Sequence, residues 1–456
     1  MKKKNKAIYL LFLMPFVYFA TACFVVWLVK TSGIYPSGSD TMYHVYRGDY
    51  VYNAIKSGNW YPLYDPAWYN GVEILRYWSP FPAYVMAFCQ YLAGGSQFGA
   101  YLFYIGGVCF LGACVWPFIG RGFNRPYLGA FIGLLWFFMP NNLCAIFIEG
   151  NLARSLSMIF LPVFIYSVYK YLYNHKLRYI PLMVFTFLLM ELCHLGYAGM
   201  VAIAVIIYGI VYIIQKGRKK AVLDVVISMI FGFMLLGIWL VASLRGGITS
   251  LDNSENMANF FQNLWITINP FERLTRGFEY FYFGFATLVV IVFGILFGYK
   301  KSRTGFVTGF IILLMTTKSA YAVLKHLPGS QYLWMLRFIS IALCMILMSF
   351  LMWDRLKKTL VLMLCVLLVV DTIPSLSLIV GEHNDISVQE RMVARQDSTL
   401  ISSAQAVTKQ RLALMDESIL GATGSWLVSD YGNPVDATFG AGREAANTSA
   451  NIVNLN

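Results

Sequence analysis

Eleven long apolar stretches, separated by short polar segments, run through this chain at residues 7–30, 99–119, 127–147, 156–173, 180–193, 197–214, 222–244, 280–299, 305–319, 334–353 and 359–380. Crossing a hydrocarbon core about 30 Å thick takes roughly 17 to 25 apolar residues. Without water there, the backbone must satisfy its own hydrogen bonds as a helix. The pattern predicts an all-α polytopic membrane protein with about 11 transmembrane helices. A further apolar stretch at 81–92, led by Tyr77-Trp78-Ser79-Pro80-Phe81-Pro82, is too short to cross and is expected to lie as an interfacial helix.

The polar positions assign the sides, because Lys and Arg near span ends are retained in the cytoplasm. The segments Lys2–Lys6, Arg121/Arg125, Lys170/Lys176/Arg178, Lys216–Lys220, Lys300–Arg303 and Arg355–Lys358 fall on one side and hold 19 of the 35 basic residues. Counting 81–92 as a span would move every later one of them to the other side. The expected orientation has a cytoplasmic amino terminus, an uncleaved first helix, a long first external loop over 31–98 and an external carboxy terminus. Two domains are expected: a transmembrane domain over 1–380, and an extracytoplasmic tail over 381–456 that reads as the start of a truncated soluble domain.

Composition removes several function classes. A 456-residue chain that is 58% hydrophobic, 17% aromatic and 12% charged, with mean hydropathy +0.62, excludes a soluble globular domain. The net charge of +13 comes from the membrane anchors, with no basic patch interleaved with stacking aromatics, so no nucleic-acid partner is expected. The eight Cys lie mostly in apolar segments without a C-x-x-C pair and imply neither a disulfide frame nor a metal site. The aromatics of the first external loop, from Tyr43 to Trp78, suit lipid headgroups and equally a sugar-stacking platform.

Gly58-Asn59-Trp60-Tyr61-Pro62, Gly71, Tyr77-Trp78-Ser79-Pro80, Glu149-Gly150-Asn151-Leu152-Ala153 and Leu161-Pro162 resemble the bacterial membrane proteins labelled 6-pyruvoyl-tetrahydropterin-synthase-related, over residues 7–380. The order of elements is similar to that of GT-C type membrane glycosyltransferases: an uncleaved first helix, a long outer loop with an early Asp and interfacial helices, then a second outer loop with a carboxylate. The resemblance implies a GT-C-like fold in the bacterial plasma membrane. It also implies transfer of a sugar from a polyprenyl-phosphate-linked donor to an acceptor on the external face, with membrane lipids and the lipid-linked donor as partners and the acceptor unknown. No Asp-x-Asp pair occurs in either outer loop, so the cofactor stays unknown, with a divalent cation one option.

Such a transfer needs a base for the acceptor proton and positive charge for the leaving phosphate. By the resemblance, Asp40 is the general base; read from its position alone, it is a solvated loop acid or a helix cap. His44, four residues on, shares its face on a short helix and would orient Asp40, contact phosphate or serve structure. Glu149, the only acid between Glu73 and Glu191, would bind the acceptor or, with Asp40, a divalent cation. The alternative is a salt bridge to Arg154, which is itself a candidate phosphate clamp. Arg337, at the outer start of a span, suits a lipid phosphate or snorkels to the headgroups. Glu191 and His194, spaced i, i+3, either contact carrier or acceptor or satisfy one another.

Two other classes stay in view. A transporter or flippase of lipid-linked saccharides should show a continuous polar path near mid-membrane. A non-catalytic scaffold has no reason to gather Asp40, Glu149 and Arg337 around one place.

Overall fold

The computed structural model describes residues 2–32, 35, 40–65, 73–147, 149–245, 261, 264–269, 282–327, 330, 333–353, 356–380, 412–413 and 435–436. The helices follow the apolar runs. The first is α1 (Lys2–Ser32), and the segment after it carries α2 (Thr41–Lys56), α3 (Ile74–Tyr77) and α4 (Phe81–Leu92). Next come α5 (Gln97–Gly122), α6 (Pro126–Leu135), α7 (Pro140–Phe147), α8 (Leu152–Asn174), α9 (Tyr179–Cys193) and α10 (Leu195–Lys216). They are followed by α11 (Lys219–Leu235), α12 (Gly237–Arg245), α13 (Leu264–Ile268), α14 (Phe285–Phe297), α15 (Lys300–Met315), α16 (Lys318–Leu324), α17 (Phe338–Met352) and α18 (Lys358–Val380).

Each of the eleven apolar runs holds helix over most of its described residues. Among the described residues, five helical segments have the length and hydropathy to cross a membrane alone, against the eleven spans expected: Leu11–Thr31, Gln97–Gly122, Leu152–Asn174, Leu195–Lys216 and Met335–Met352. Two more arise if each bent pair counts once, Pro126–Phe138 with Asn141–Phe147 at 44° and Lys219–Leu235 with Gly237–Ser243 at 65°. Tyr179–Cys193 and Phe285–Phe297 are apolar but shorter. The runs at 127–147 and 222–244 thus read as continuous in sequence, while the backbone turns inside them at Pro140 and Gly237.

α4 has 12 residues and is about 18 Å long at 1.5 Å per residue, short of a bilayer core. It packs on α2 and α5. The α2–α4 contact is close: a Cβ on Gly48 would stand 2.2 Å from Met86 Cγ and 2.6 Å from its Cβ. Gly48→Ala is expected to push α2 off α4 and destabilise the fold by about 1–3 kcal/mol, the usual range for overpacking. Thermal unfolding in detergent measures it, and an unchanged midpoint would mean that the contact is looser than these distances.

Burial orders the bundle. In Met335–Met352, which runs through the centre, 94% of the residues are buried, whereas in the most apolar 18 residues of Leu11–Thr31, at the rim, 28% are. α17 packs on α15, α8 and α10 around it, and α14 and α18 pack together beyond α15. Asp371 on α18 ties that outer layer down: its carboxylate accepts from the Ala286 and Thr287 N–H groups at 3.1 and 2.7 Å and from Tyr282 Oη at 3.1 Å. These are the orphan donors at the start of α14, capped by another helix.

The two ends of the bundle differ chemically. One is closed by contacts such as Lys170 Nζ to the Gly122 carbonyl, Tyr171 Oη to Asp224 at 2.6 Å and Tyr173 Oη with Thr304 Oγ1 at 3.0 Å. The other carries α2, the α7–α8 and α9–α10 connections and the start of α17. The soluble unit expected over 381–456 lies outside the described residues, apart from β1 (Leu412–Ala413), which pairs in parallel with β2 (Val435–Asp436).

Candidate functional site

Local sequence chemistry presents each side chain at that second end. After α7, Glu149 N–H reaches back to the Cys144 carbonyl and Asn151 N–H to that of Ala145, both at 2.9 Å. Gly150 between them takes φ +63°, a left-handed conformation that glycine adopts without steric cost. Asn151 then caps α8, its Oδ1 accepting the Arg154 N–H at 2.9 Å. This tight turn sets Glu149 and Arg154 side by side.

Glu149 is the hub. Arg154 Nη2 donates to its Oε1 at 2.6 Å, and Arg337 Nε stands 3.3 Å from its Oε2. The side chains of Arg154, Arg337 and Glu149 are 0%, 11% and 13% exposed, so the first arginine is sealed and the second still reaches the surface. Arg154 also donates to Asn141 Oδ1 at 3.2 Å, and Arg337 lies over the Trp334 ring, with its Cζ 4.7 Å from the ring centroid. Through its backbone carbonyl Glu149 accepts the Asp40 N–H at 2.9 Å, which fastens the start of α2 to the α7–α8 turn.

Asp40 is the N-cap residue of α2, and its side chain makes no capping hydrogen bond. Its carboxylate is close enough to act electrostatically on Arg337. One turn on, His44 N–H donates to the Asp40 carbonyl at 3.1 Å. Burial first, then the guanidinium charge of Arg47, with Arg337 adding to it, holds the His44 imidazole well below its usual pKa, so it is neutral at physiological pH. Arg47 stacks on Trp78 at 4.0 Å, and Gln90 Nε2 donates to Asp49 Oδ1 at 2.7 Å, which locks α2 to the segment that leads into α4. Trp78 thus serves as a platform for an arginine.

His194 sits where α9 ends and α10 begins, with φ −157° and ψ 95°. That extended backbone corrects the expectation that Glu191 and His194 form an i, i+3 pair, since the helix stops before His194. The imidazole turns instead toward Asn151 and Arg337. Glu191 is 1% exposed and its Oε2 has no hydrogen-bond partner, while its backbone carbonyl accepts from Ser79 Oγ at 2.8 Å. None of the described contacts joins its carboxyl to the cluster.

Of the seven residues singled out from sequence, Asp40, His44, Glu149, Arg154, His194 and Arg337 converge here and Glu191 stays apart. Asn141 and Asn151 were missed, because an uncharged amide in an apolar chain carries no periodic or charge signal. Gly150-Asn151 ahead of an apolar run is, however, a helix-start signal that points to the second of them. Among the described residues no group of three or more His, Cys, Asp or Glu side chains is arranged to hold a metal ion. Glu149, one of the two carboxylates considered for a cation, is engaged by two guanidiniums.

An all-helical membrane protein with a carboxylate–guanidinium–imidazole cluster at one end of its bundle is the class that fold and site define. The chain belongs to the family of membrane proteins described by the 6-pyruvoyl-tetrahydropterin synthase related domain, whose model matches residues 75–379. That stretch includes Glu149, Arg154, His194 and Arg337 and begins after Asp40 and His44. No curated protein matches the sequence. Among solved structures, the chain is similar to the arabinofuranosyltransferase AftD from Mycobacteria, with 12% identity and a TM-score of 0.47 over 93% of this chain and 31% of that one. It spans under a third of that protein's length.

Proposed function

We propose that this protein is a GT-C-like glycosyltransferase of the bacterial plasma membrane. In this reading it crosses the membrane eleven times, with a cytoplasmic amino terminus and an external carboxy terminus. It moves a sugar from a polyprenyl-phosphate-linked donor to an acceptor on the external face. The observation that carries the reading is the convergence of Asp40, Glu149, Arg154, His194 and Arg337 from four separate connections onto one end of the bundle. A scaffold has no need of that assembly. A transporter would need polar groups along a path between the ends, whereas the buried carboxylate of Asp371 on α18 is consumed in capping α14.

The chemistry assigned to these groups is an in-line displacement. The acceptor oxygen forms a bond to the anomeric carbon as its proton passes to the Asp40 carboxylate. The bond between that carbon and the phosphate oxygen breaks, and the electron pair leaves with the lipid phosphate. Arg337, stacked on Trp334 and still reachable, stabilises the leaving phosphate. Arg154, sealed beneath, holds Glu149 in place and so keeps Arg337 aimed.

Arg337→Ala tests the phosphate assignment. With a synthetic polyprenyl-phosphate sugar, the variant is expected to need about tenfold or more donor for half-maximal transfer, the effect of losing one hydrogen bond to a charged group, while its dependence on acceptor stays as in the wild type. Equal losses for both substrates, or none, would assign Arg337 to anchoring.

A further inference from the structure

Hydrogen-bond arithmetic does not close around His194. A neutral imidazole carries one proton on two ring nitrogens. Nδ1 accepts the Tyr197 N–H at 3.1 Å, capping α10, so the proton resides on Nε2. Around Nε2 stand Asn151 Nδ2 and Arg337 Nη1, each at 3.4 Å. Both are donors. The Asn151 amide is oriented by its other contact, because only its oxygen can accept the Arg154 N–H, and arginine has no acceptor at all. A charged imidazolium offers no escape: it would turn a fourth donor toward the Tyr197 N–H. Burial first, then Arg337 and Arg154, also push the His194 pKa down to about 3. Among the described residues, three N–H donors therefore face one another with no acceptor shared between them, on a half-buried side chain that remains reachable.

We propose that His194 is a neutral Nε2–H donor that forms, with Asn151 Nδ2 and Arg337 Nη1, a three-donor cradle for an anionic phosphoryl oxygen. The inference rests on the reading of the site as one that takes a lipid-linked phosphate, and it adds the tautomer and two recognition groups. A carbohydrate hydroxyl fits less well, because it brings a donor of its own into a ring of donors. A phosphoryl oxygen only accepts, and its charge strengthens each bond. The gap at 3.4 Å closes when an acceptor draws the donors in.

Two substitutions separate the cradle from the fold. Asp caps a helix as well as Asn does, so Asn151→Asp keeps the bond to the Arg154 N–H while setting a carboxylate against the Nε2–H. It should retain or raise the unfolding temperature and weaken phosphate binding at least tenfold. His194→Asn keeps an oxygen for the Tyr197 N–H but is too short to reach the position of Nε2, and should also weaken phosphate binding about tenfold or more. The measurement is calorimetric binding of farnesyl phosphate, farnesol and inorganic phosphate to the full chain in lipid nanodiscs.

Both variants are expected to lose affinity for farnesyl phosphate and to match the wild type for farnesol. Wild-type binding of farnesyl phosphate alone makes the lipid carrier the source of the oxygen; equal binding of inorganic phosphate, lost in Asn151→Asp, makes it a free phosphate. Unchanged farnesyl phosphate affinity in both variants overturns the cradle and leaves the donor reading standing. A wild type that binds neither phosphate overturns both. Independently of ligand, a nitrogen-15 spectrum of histidine-labelled protein with the His194 proton on Nδ1 overturns the tautomer and the cradle with it.

Discussion

Asp40→Asn is expected to lower the rate of sugar transfer by about 10²- to 10⁴-fold, the contribution typical of a positioned general base, while the protein inserts and folds as before. The Asp40 side chain makes no capping bond, and the residue's link to Glu149 runs through its own backbone N–H, which Asn retains. Asn is also an equally good N-cap residue. What is lost is the anionic oxygen that takes a proton, together with its attraction for Arg337. The assay is transfer from a defined polyprenyl-phosphate sugar by purified protein in lipid, with the unfolding midpoint as control. A variant that works at the wild-type rate would remove Asp40 from the chemistry and return it to the role of a helix-start residue.

Glu149→Ala is expected to destabilise the protein by about 3–5 kcal/mol, the usual result of removing one partner from a buried ion pair. Arg154 is wholly sealed and would keep its charge with only Asn141 Oδ1 to accept from it. Arg337 would lose its counter-ion at the same time. Two neighbours sharing one partner couple, so Glu149→Ala combined with Arg154→Met should recover part of the loss. Thermal unfolding of the two variants in the same detergent measures it. A single variant as stable as the wild type would show that Glu149 is not the hub of the cluster, and would free its carboxylate for the acceptor or a cation.

The legibility of this protein from sequence divides along physical lines. Apolar runs announce helices because a membrane-spanning backbone has no other way to satisfy its polar groups, and each of the eleven runs holds helix over most of its described residues. The short helix at 81–92 was equally readable, since twelve residues cannot cover the distance. Breaks inside a run were not: near Pro140 and Gly237 the chain turns by 44° and 65°, and the mean hydropathy of a run is blind to direction. The site shows the same division. Asp40, Glu149, Arg154 and Arg337 stand out because charge is rare in this chain. The Glu191 and His194 pairing failed because i, i+3 spacing brings side chains together only while the helix continues, and it stops at Cys193.

By itself, then, the sequence determined that the chain is a bundle of membrane-type helices with basic residues at one end and a few ionisable groups at the other, since those properties depend on each residue's own transfer free energy and on its neighbours along the chain. The tertiary structure alone decided that Glu149 stands between Arg154 and Arg337, that Asp40 is fastened to the Glu149 carbonyl, and that the His194 imidazole meets Asn151 and Arg337. His194 and Arg337 are 143 residues apart. Only the packing of α17 through the centre of the bundle brings them together, and no local preference encodes which distant helix end a side chain will meet.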